Sequence, residues 1–386
     1  MPSPRPAPTV ALIGGGQLAR MLAEPAAAMG VPLRLLAEAE GVSAAQVIPD
    51  HVVGDYTDLA TLQRVVKGCE VVTFDHEHVP TGHLHALEQD LAVRPGPDAL
   101  VHAQDKGVMR ERLDALGVPC PHNVIVTSVE EVAAFGFPCV LKTTRGGYDG
   151  KGVWFVSSAE DCGPAFESAS GRDVRLLAEE LVDFRRELSA LVARSPSGQV
   201  AAYPVVQSTQ ADGICREVVA PAPDLDDGLA LQAQRIAMRI ATELGVTGIL
   251  AVELFETVDG RVLVNELAMR PHNTGHWTQD GAVTSQFENH LRAVLDLPLG
   301  VPDAREPWTV MSNILGGPVD AGRLYDGYPH VLARDPRLKV HLYGKEMRPG
   351  RKVGHVNAYG ADLDDCLERA RHAAAWFRGD LGETSE

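Results

Sequence analysis

The sequence predicts a mixed fold, with an α/β unit built on a parallel sheet at the N-terminus and an α+β part built on antiparallel hairpins after it. Three stretches carry this prediction. Strand-like and helix-like runs alternate over residues 10–94, which is typical of βαβ units. Residues 138–156 form a hairpin pattern around a glycine-rich loop, and residues 248–270 form another around Asp259-Gly260, a dipeptide that favours tight turns.

The N-terminal unit alternates short apolar strands with helices. Because parallel strands bring their carboxyl ends to one edge of the sheet, a ligand is expected to bind at that edge. The predicted strands are Thr9–Ile13, Pro32–Ala37, His51–Val53, Val71–Asp75 and Leu91–Arg94, and the predicted helices are Gln17–Met29, Leu59–Val66 and His83–Gln89.

A glycine turn links the first strand to the first helix. Gly14, Gly16 and Ala19 fit the G-x-G-x-x-A dinucleotide fingerprint, with Glu38 at the end of the second strand. An NAD site is therefore one reading. The physical chemistry supports a broader one, in which backbone N–H groups at a helix N-terminus form a cradle for any phosphate.

Two histidines and two acids follow the fourth predicted strand, at Asp75, His76, Glu77 and His78. A zinc cluster is one reading, but zinc sites usually add further protein ligands at characteristic spacing. Since a strand end in a parallel sheet is where polar substrate contacts belong, we favour Glu77 as a substrate contact.

A glycine-rich loop follows the predicted helix 105–116, which Asp105 caps and Gly117 ends. An apolar strand leads through Lys142 into Gly146–Gly152, which holds four glycines. Glycines let a backbone approach phosphates closely, and a lysine supplies a point charge to them. The loop is not a Walker A motif, and a hairpin with a solvated lysine is the plain alternative.

Two strands are predicted next, at Leu176–Val182 and Leu188–Ala193. The backbone between Glu179 and Glu187 could form an edge for a nucleotide base, and Glu187 could accept hydrogen bonds from ribose hydroxyls. A helix is predicted over residues 230–244, ended by Gly245.

The hairpin 248–270 brings two carboxylates together. If Asp259-Gly260 forms a two-residue loop, Glu253 and Glu266 lie at equal distances from it and face each other. Like charges directly opposed on a sheet are destabilising unless something compensates them. Oxygen ligands suit Mg²⁺, so the pair predicts a magnesium site, with an edge hairpin of exposed acids as the alternative.

Polar side chains follow directly on Glu266. His272 and His276 have the spacing of a helical zinc pair, but Pro271 and Gly275 favour a loop. A loop beside a metal site that holds Arg270, His272 and Asn273 predicts a site for a small anion. A helix is expected over residues 285–295.

The last segment, residues 301–386, contains short strands, a basic stretch at Lys345–Lys352 and a helix over residues 363–377. Four of the eight residues of the stretch are basic in a chain that is otherwise acidic. We interpret it as a phosphate clamp, with a solvated turn as the alternative.

Composition bounds the function. The 386-residue chain carries 35 basic and 52 acidic residues, and its net charge of −17 disfavours nucleic acid and anionic membranes as partners. Six cysteines without a CxxC pair indicate buried thiols in a reducing, cytoplasmic compartment. Residues 1–9, with four prolines, indicate a disordered tail that is neither a signal peptide nor a membrane anchor.

Four motifs are the most specific features of the chain: GGGQLARM at 14–21, GGYDGKG at 146–152, the run from NELAMRPHNTGHW at 265–277 through residue 293, and KEMRPGRKVGH at 345–355. On these motifs residues 10–370 resemble the 5-(carboxyamino)imidazole ribonucleotide synthase family, ATP-grasp enzymes of purine biosynthesis. The resemblance implies ATP-dependent carboxylation of aminoimidazole ribonucleotide with bicarbonate, Mg²⁺ and a homodimer.

The resemblance also implies a domain plan. A Rossmann-like domain would span residues 10–100, and an ATP-grasp domain residues 101–300, with a lid subdomain at about 118–185. A small C-terminal domain would span residues 301–386.

The resemblance assigns residues to four ligands. ATP would contact Lys106, Lys142, Gly147, Tyr148, Asp149, Gly150, Lys151, Gly152, Glu179, Glu180, Leu181, Val182, Glu187, Gln210, Asn265 and Glu266. Mg²⁺ would be held by Glu253 and Glu266, and bicarbonate and carboxyphosphate by Arg270, His272 and Asn273. Aminoimidazole ribonucleotide would contact Gly16, Gln17, Leu18, Glu77, Tyr148, Lys345, Arg351 and Lys352. The residues expected to act in catalysis are Lys142, Arg270, His272, Asn273 and Lys345.

Three positions depart from the family pattern: Lys106 where arginine is usual, Gln210 where histidine is usual and Met269 where proline is common. Three alternative functions remain open at this point. They are an NAD-dependent dehydrogenase, an ATP-grasp ligase with another acceptor such as formate or biotin, and a silent nucleotide-binding module.

Overall fold

The computed structural model describes residues 7–147, 150–171, 174–211, 213–317 and 324–381. The strands are β1 Val10–Ile13, β2 Leu33–Ala37, β3 His51–Val53, β4 Val71–Phe74, β5 Ala92–Val93, β6 Asn123–Val126, β7 Cys139–Thr143, β8 Val153–Val156, β9 Leu176–Glu180, β10 Phe184–Arg194, β11 Val200–Ala202, β12 Val206–Ala211, β13 Ile214–Ala220, β14 Gly248–Thr257, β15 Val262–Ala268, β16 Trp308–Leu315, β17 Lys339–Leu342 and β18 Lys352–Gly360.

The helices lie between these strands and at the C-terminal end of the described chain. They are α1 Gln17–Met29, α2 Leu59–Val66, α3 Thr81–Leu87, α4 Pro97–Gln104, α5 Lys106–Ala115, α6 Val129–Phe135, α7 Gly163–Ala169, α8 Asp227–Glu243, α9 Thr278–Gly281, α10 Gln286–Val294, α11 Tyr328–Arg334 and α12 Leu363–Arg378. No helix of the described residues is long and apolar enough to cross a bilayer.

The N-terminal sheet is parallel, as predicted, with the strand order β3-β2-β1-β4-β5. Alternate residues of β1 belong to two different hydrophobic cores. Val10 and Leu12 pack with α1, whereas Ala11 and Ile13 pack with α2 and α3. Helices therefore cover both faces, which is why β1 and β4 read as continuous apolar runs.

A second, antiparallel sheet runs through the centre of the protein in the order β15-β14-β10-β12-β13-β16-β18-β17, with β11 on β10. Its C-terminal strands continue the sheet, because β13 pairs with β16 at Glu217 and Ser312. The predicted domain boundary at residue 300 thus lies between β15 and β16, two strands of the same sheet. The domain limits themselves stay predictions.

A third sheet of four antiparallel strands, β6-β9-β7-β8, occupies the stretch predicted as a lid subdomain. In it β7 pairs with β8 at Lys142 and Val153, so the predicted glycine-loop hairpin is present. The sequence did not predict the short helices α4, α6, α7, α9 and α11.

The turn of the β14–β15 hairpin differs from the prediction of a two-residue loop. Thr257 N donates to Arg261 O, which encloses three loop residues, with Gly260 at φ 80° as the residue in the left-handed region. This register would not pair the two acids. A β-bulge between Leu254↔Val264 and Glu253↔Glu266 adds one residue, so the predicted pairing is recovered by a route that the sequence did not indicate.

Candidate active site

One cleft of about 1600 Å³ lies among the three sheets and collects most of the predicted site residues. Those that line it are Gln17, Leu18, Glu77, Lys106, Lys142, Gly147, Gly150, Lys151, Glu179, Glu180, Leu181, Val182, Glu187, Gln210, Glu253, Asn265, Glu266, Arg270, His272, Asn273, Lys345, Arg351 and Lys352.

Two predicted residues, Gly16 and Gly152, are not among those that line the cleft. A Cβ at Gly16 would meet Asp75 Oδ2 at 2.0 Å, and one at Gly152 would meet Thr143 Oγ1 at 2.4 Å, so both positions require glycine for close packing. Tyr148 and Asp149 lie outside the described residues.

The two predicted metal ligands, Glu253 on β14 and Glu266 on β15, both line the cleft and are directly opposed in the ladder. Lys106, the first residue of α5, places its Nζ 2.7 Å from Glu266 Oε1. When both carboxylates are ionised, this group of two acids and one ammonium carries a net negative charge. A divalent cation with oxygen ligands fits that donor set.

The two acids differ in their ionisation. Desolvation, followed by the charges of Glu266 and Glu187, raises the pKa of Glu253 to about 7. Desolvation also acts on Glu266, but the charge and hydrogen bond of Lys106 outweigh it and lower the pKa of Glu266. Desolvation raises the pKa of Glu187 to about 7.

The raised pKa of Glu253 predicts a pH-dependent stability of the metal-free protein. Between the unfolded pKa and the folded pKa of about 7, the folded state keeps a proton that the unfolded state has lost. The contribution of Glu253 to the free energy of unfolding therefore falls as pH rises from about 5 to about 8. Chemical denaturation across this range should show that the free energy of unfolding of wild type, relative to that of Glu253→Gln, falls as pH rises. A wild-type stability that rises with pH relative to Glu253→Gln would contradict this ionisation.

Lys142, which is predicted to contact phosphates, also lines the cleft. Its Nζ lies 2.6 Å from Glu179 Oε2 and donates to Asn265 Oδ1 at 3.0 Å. Glu179 is 2% exposed, and although desolvation opposes ionisation, the charges of Arg110 and Lys142 lower its pKa. The Glu179 side chain therefore holds the lysine and does not face a base. Only its backbone remains for the predicted adenine contact.

One end of the cleft has aromatic walls. Phe184 and Phe255 stack with ring centroids 4.8 Å apart, and both line the cleft with Leu181 and Val182. The predicted strand began at Leu188, which placed Glu187 before it. Because β10 begins at Phe184, Glu187 lies within the strand. No sequence pattern indicated the aromatic pair, since the two rings meet only through the pairing of β10 with β14.

Arg270, His272 and Asn273 lie together beside Glu253. His272 Nε2 is 3.5 Å from Glu253 Oε1, and its Nδ1 contacts Thr274 Oγ1 at 2.9 Å. Desolvation and the charges of Arg270 and Lys352 lower the pKa of His272 well below its usual value, so the ring is neutral. His272 and His276 flank a short 3-10 turn at Asn273–Gly275, as the loop prediction requires.

Asn273 is 9% exposed, and within the described structure neither of its amide atoms has a hydrogen-bond partner, although the Cys215 thiol lies beside it. Buried amides are normally satisfied. An oxyanion with both donor and acceptor oxygens would satisfy both atoms.

Glu77 is held by the loop that follows β15. Arg270 Nε donates to Glu77 Oε2 at 2.7 Å, and Met269 N donates to Glu77 Oε1 at 3.2 Å. A proline at position 269, common in the family, has no N–H to give. The departure at Met269 therefore adds a contact to Glu77.

The glycine turn is not the open anion cradle that we predicted. Gly15 N donates to Glu38 Oε2 at 2.9 Å and Ala19 N donates to Asp75 Oδ1 at 2.8 Å, so the protein's own carboxylates take these amides. Glu38 is thereby removed from the ribose contact that a dinucleotide site would need. His76 Nε2 lies 3.7 Å from Glu38 Oε1. Asp75 accepts from Ala19 N, and Glu77 accepts from Arg270 and Met269, as described above.

The basic stretch closes the cleft over the N-terminal sheet. Lys345 Nζ donates to Gln17 Oε1, and Lys345, Arg348, Arg351 and Lys352 all line the cleft. Arg348 also pairs with Glu346 through its Nη2 at 2.7 Å. Positive charge from the last segment therefore meets the first helix at one site.

Comparison with known proteins gives three matching family models that follow one another along the chain. They are the ribonucleotide synthetase preATP-grasp domain at residues 7–104, the ATP-grasp domain at 111–287 and the phosphoribosylaminoimidazole carboxylase C-terminal domain at 309–369.

Whole-chain relatives agree with these models. The N5-carboxyaminoimidazole ribonucleotide synthase of Mycobacterium tuberculosis is 55% identical over 377 residues, covering 96% of this chain and 88% of the relative. A crystal structure of the ADP complex of an N5-carboxyaminoimidazole ribonucleotide synthetase has a TM-score of 0.88 and 35% identity, covering 97% of this chain and 98% of its own.

A further structure, of the Aspergillus clavatus N5-carboxyaminoimidazole synthase with ADP and 5-aminoimidazole ribonucleotide, has a TM-score of 0.88 and 30% identity, covering 96% of this chain and 99% of its own. Since the similarity extends over nearly the full length in sequence and in fold, this chain belongs to the ATP-grasp enzymes and, among them, to the N5-carboxyaminoimidazole ribonucleotide synthase family.

Proposed function

We propose that this protein carboxylates 5-aminoimidazole ribonucleotide with bicarbonate at the expense of ATP, a step of purine biosynthesis. The products are N5-carboxyaminoimidazole ribonucleotide, ADP and phosphate. The observation that carries the proposal is the convergence of Glu253 and Glu266 with Lys142 and the Arg270–Asn273 loop in one cleft. The family that the chain belongs to supplies the substrates.

ATP binds along the cleft between the aromatic end and Lys142. The base lies near Glu180, Leu181 and Val182, and Glu187 accepts hydrogen bonds from the ribose. The phosphates extend towards Lys142 and the glycine loop. Since phosphoryl transfer needs positioning and charge compensation more than covalent help, these residues act mainly by electrostatics.

Glu253 and Glu266 would hold Mg²⁺, with Asn265 beside them. The ion would neutralise phosphate charge. Their direct opposition in the ladder and their oxygen donors fit this role. Lys106 contacts Glu266, and Lys106 and Gln210 both line the cleft. These placements support a nucleotide contact for both residues.

Bicarbonate binds at Arg270, His272 and Asn273. A bicarbonate oxygen attacks the γ-phosphorus, the bond from that phosphorus to the bridging oxygen of ADP breaks, and carboxyphosphate forms. Carboxyphosphate then yields carbon dioxide and phosphate. The exocyclic amine of the ribonucleotide adds to the carbon dioxide and loses a proton to the phosphate released in the preceding step.

The ribonucleotide binds between α1 and the basic stretch, with its phosphate at Lys345, Arg351 and Lys352. Glu77 lies within reach as a ribose contact. Gln17 and Leu18 contribute from the first turn of α1, and Gly16 acts through its backbone. From the family resemblance, Tyr148 would contact ATP and the ribonucleotide and Asp149 would contact ATP. Closure of the glycine loop would exclude water from the labile carboxyphosphate. A cytoplasmic homodimer is the assembly that we propose.

ADP release tests the proposal. We expect ADP formation to be stimulated only when bicarbonate and 5-aminoimidazole ribonucleotide are both present, with one carboxylated product per ADP. If the two together fail to stimulate ADP formation, the assignment is wrong.

Acceptor replacement separates the alternatives in the same assay. Formate in place of bicarbonate, or biotin in place of the ribonucleotide, should give no stimulation. Stimulation by either would identify a different ATP-grasp ligase, and binding of Mg-ATP without turnover under any acceptor would identify a silent nucleotide-binding module.

A further inference from the structure

Arg110 is a buried arginine for which the assignments above give no role. It lies one helical turn after Lys106 on α5 and is 1% exposed. Its Nε donates to Glu179 Oε1 at 2.5 Å, its Nη1 to Val264 O at 2.9 Å and its Nη2 to Asn265 O at 2.8 Å. All three guanidinium nitrogens thus donate to residues that lie near Glu266 or contact Lys142.

Two of these acceptors belong to the β-bulge in β15. The ladder pairs Leu254 with Val264 and Glu253 with Glu266, leaving Asn265 as the additional residue. A bulge removes carbonyls from regular pairing, and buried carbonyls need a donor. Arg110 supplies donors to both carbonyls at the bulge. Its fork matches two neighbouring acceptors in a way that a lysine cannot.

The bulge decides where Glu266 points. Without it, the register at the turn would pair Glu253 with Asn265, and Glu266 would move to the other face of the sheet, since side chains alternate along a strand. The convergence of the two acids therefore depends on a backbone irregularity that Arg110 stabilises.

The contact of Arg110 with Glu179 also affects the position of Lys142. Arg110 holds one oxygen of Glu179, Lys142 lies 2.6 Å from the other, and the same lysine donates to Asn265 Oδ1. Arg110, Glu179, Lys142 and Asn265 form a closed ring of contacts. Without Arg110, Lys142 would be the one cation of this ring of contacts left to pair with Glu179. The Glu179 carboxylate would then draw the Lys142 ammonium towards itself and away from the cleft.

We propose that Arg110 is a positioning residue that fixes the bulge at Asn265, and with it the spacing of Glu253, Glu266 and Lys142. The inference rests on the proposed function, because it takes these three groups to bind Mg-ATP.

Arg110→Lys tests the proposal, because it keeps the positive charge beside Glu179 and removes the fork. We expect the Mg²⁺ concentration for half-maximal ADP formation to rise, and kcat to fall, each by roughly 10- to 100-fold. The KM for the ribonucleotide, which binds at the other end of the cleft, should change by less than about twofold. Arg112→Lys on the same helix, whose Nη2 contacts Glu243 O at 3.4 Å, is the matched control and should leave all three parameters unchanged.

A purely structural role would lower the melting temperature of Arg110→Lys without altering its Mg²⁺ dependence, and that result overturns the proposal. Arg110→Met is the stronger perturbation; if it does not fold, Arg110→Lys decides. Calorimetric titration with Mg-ADP separates the two levels of inference. If wild type shows no ribonucleotide-stimulated turnover, the proposed function fails, whereas weaker Mg-ADP binding by Arg110→Lys still supports the positioning role and unchanged binding rejects it.

Discussion

Glu266→Gln is expected to lower kcat for ADP formation by roughly 10²- to 10³-fold, the usual cost of losing one preorganised electrostatic group at a reacting centre. The substitution keeps the shape of the side chain and removes one of the two facing carboxylates. Lys106, whose Nζ lies 2.7 Å from Glu266 Oε1, then stays as a cation where Mg²⁺ would bind. Steady-state ADP release at saturating ATP and varied Mg²⁺ measures the effect.

A second readout separates electrostatics from misfolding. Because Glu266 contributes to the raised pKa of Glu253, Glu266→Gln should shift the pH dependence of stability to lower pH. Glu288→Gln, at a helix-surface pair with Arg292, makes the same chemical change outside the cleft and should retain activity. A Glu266→Gln enzyme with wild-type Mg²⁺ dependence would remove Glu266 from the proposed metal site.

Lys142→Met should reduce kcat by a comparable factor, roughly 10²- to 10³-fold, because it removes the ammonium that would stabilise charge on the transferred phosphoryl group. Folding should persist, since Arg110 still compensates the Glu179 carboxylate through the contact at 2.5 Å. Single-turnover ADP formation, followed beside the melting temperature, measures both quantities.

Lys339→Met is the matched control, because Lys339 is an exposed lysine on β17 and does not line the cleft. It should be indistinguishable from wild type. If Lys142→Met instead raised the KM for ATP and left kcat intact, the lysine would bind ground state and transition state equally and would not stabilise the transfer.

Local sequence patterns determined much of the fold. Alternating apolar runs gave the parallel sheet, and the caps Asp105 and Ser285 fixed helix starts, since capping depends on residues within one turn. The loop character of residues 271–276 followed from Pro271 and Gly275 for the same reason. These features rest on interactions between near neighbours.

The hairpin shows where local reasoning stops. The turn encloses three residues and not two, and the bulge at Asn265 compensates, so the predicted facing of Glu253 and Glu266 is confirmed although its supposed cause is wrong. The donor that stabilises the bulge, Arg110, lies 154 positions before Val264. No periodicity near residue 265 could indicate it.

The amino-acid sequence by itself therefore determined the family, the parallel sheet and the two hairpins, and it predicted which residues would meet phosphate, metal and anion. Tertiary structure alone decided the register that joins the two acids, the pairing of Glu179 with Lys142, and the filling of the glycine turn by Glu38 and Asp75. The physical reason is that a hydrogen-bond or charge partner is chosen by distance in space, whereas a sequence pattern records only distance along the chain.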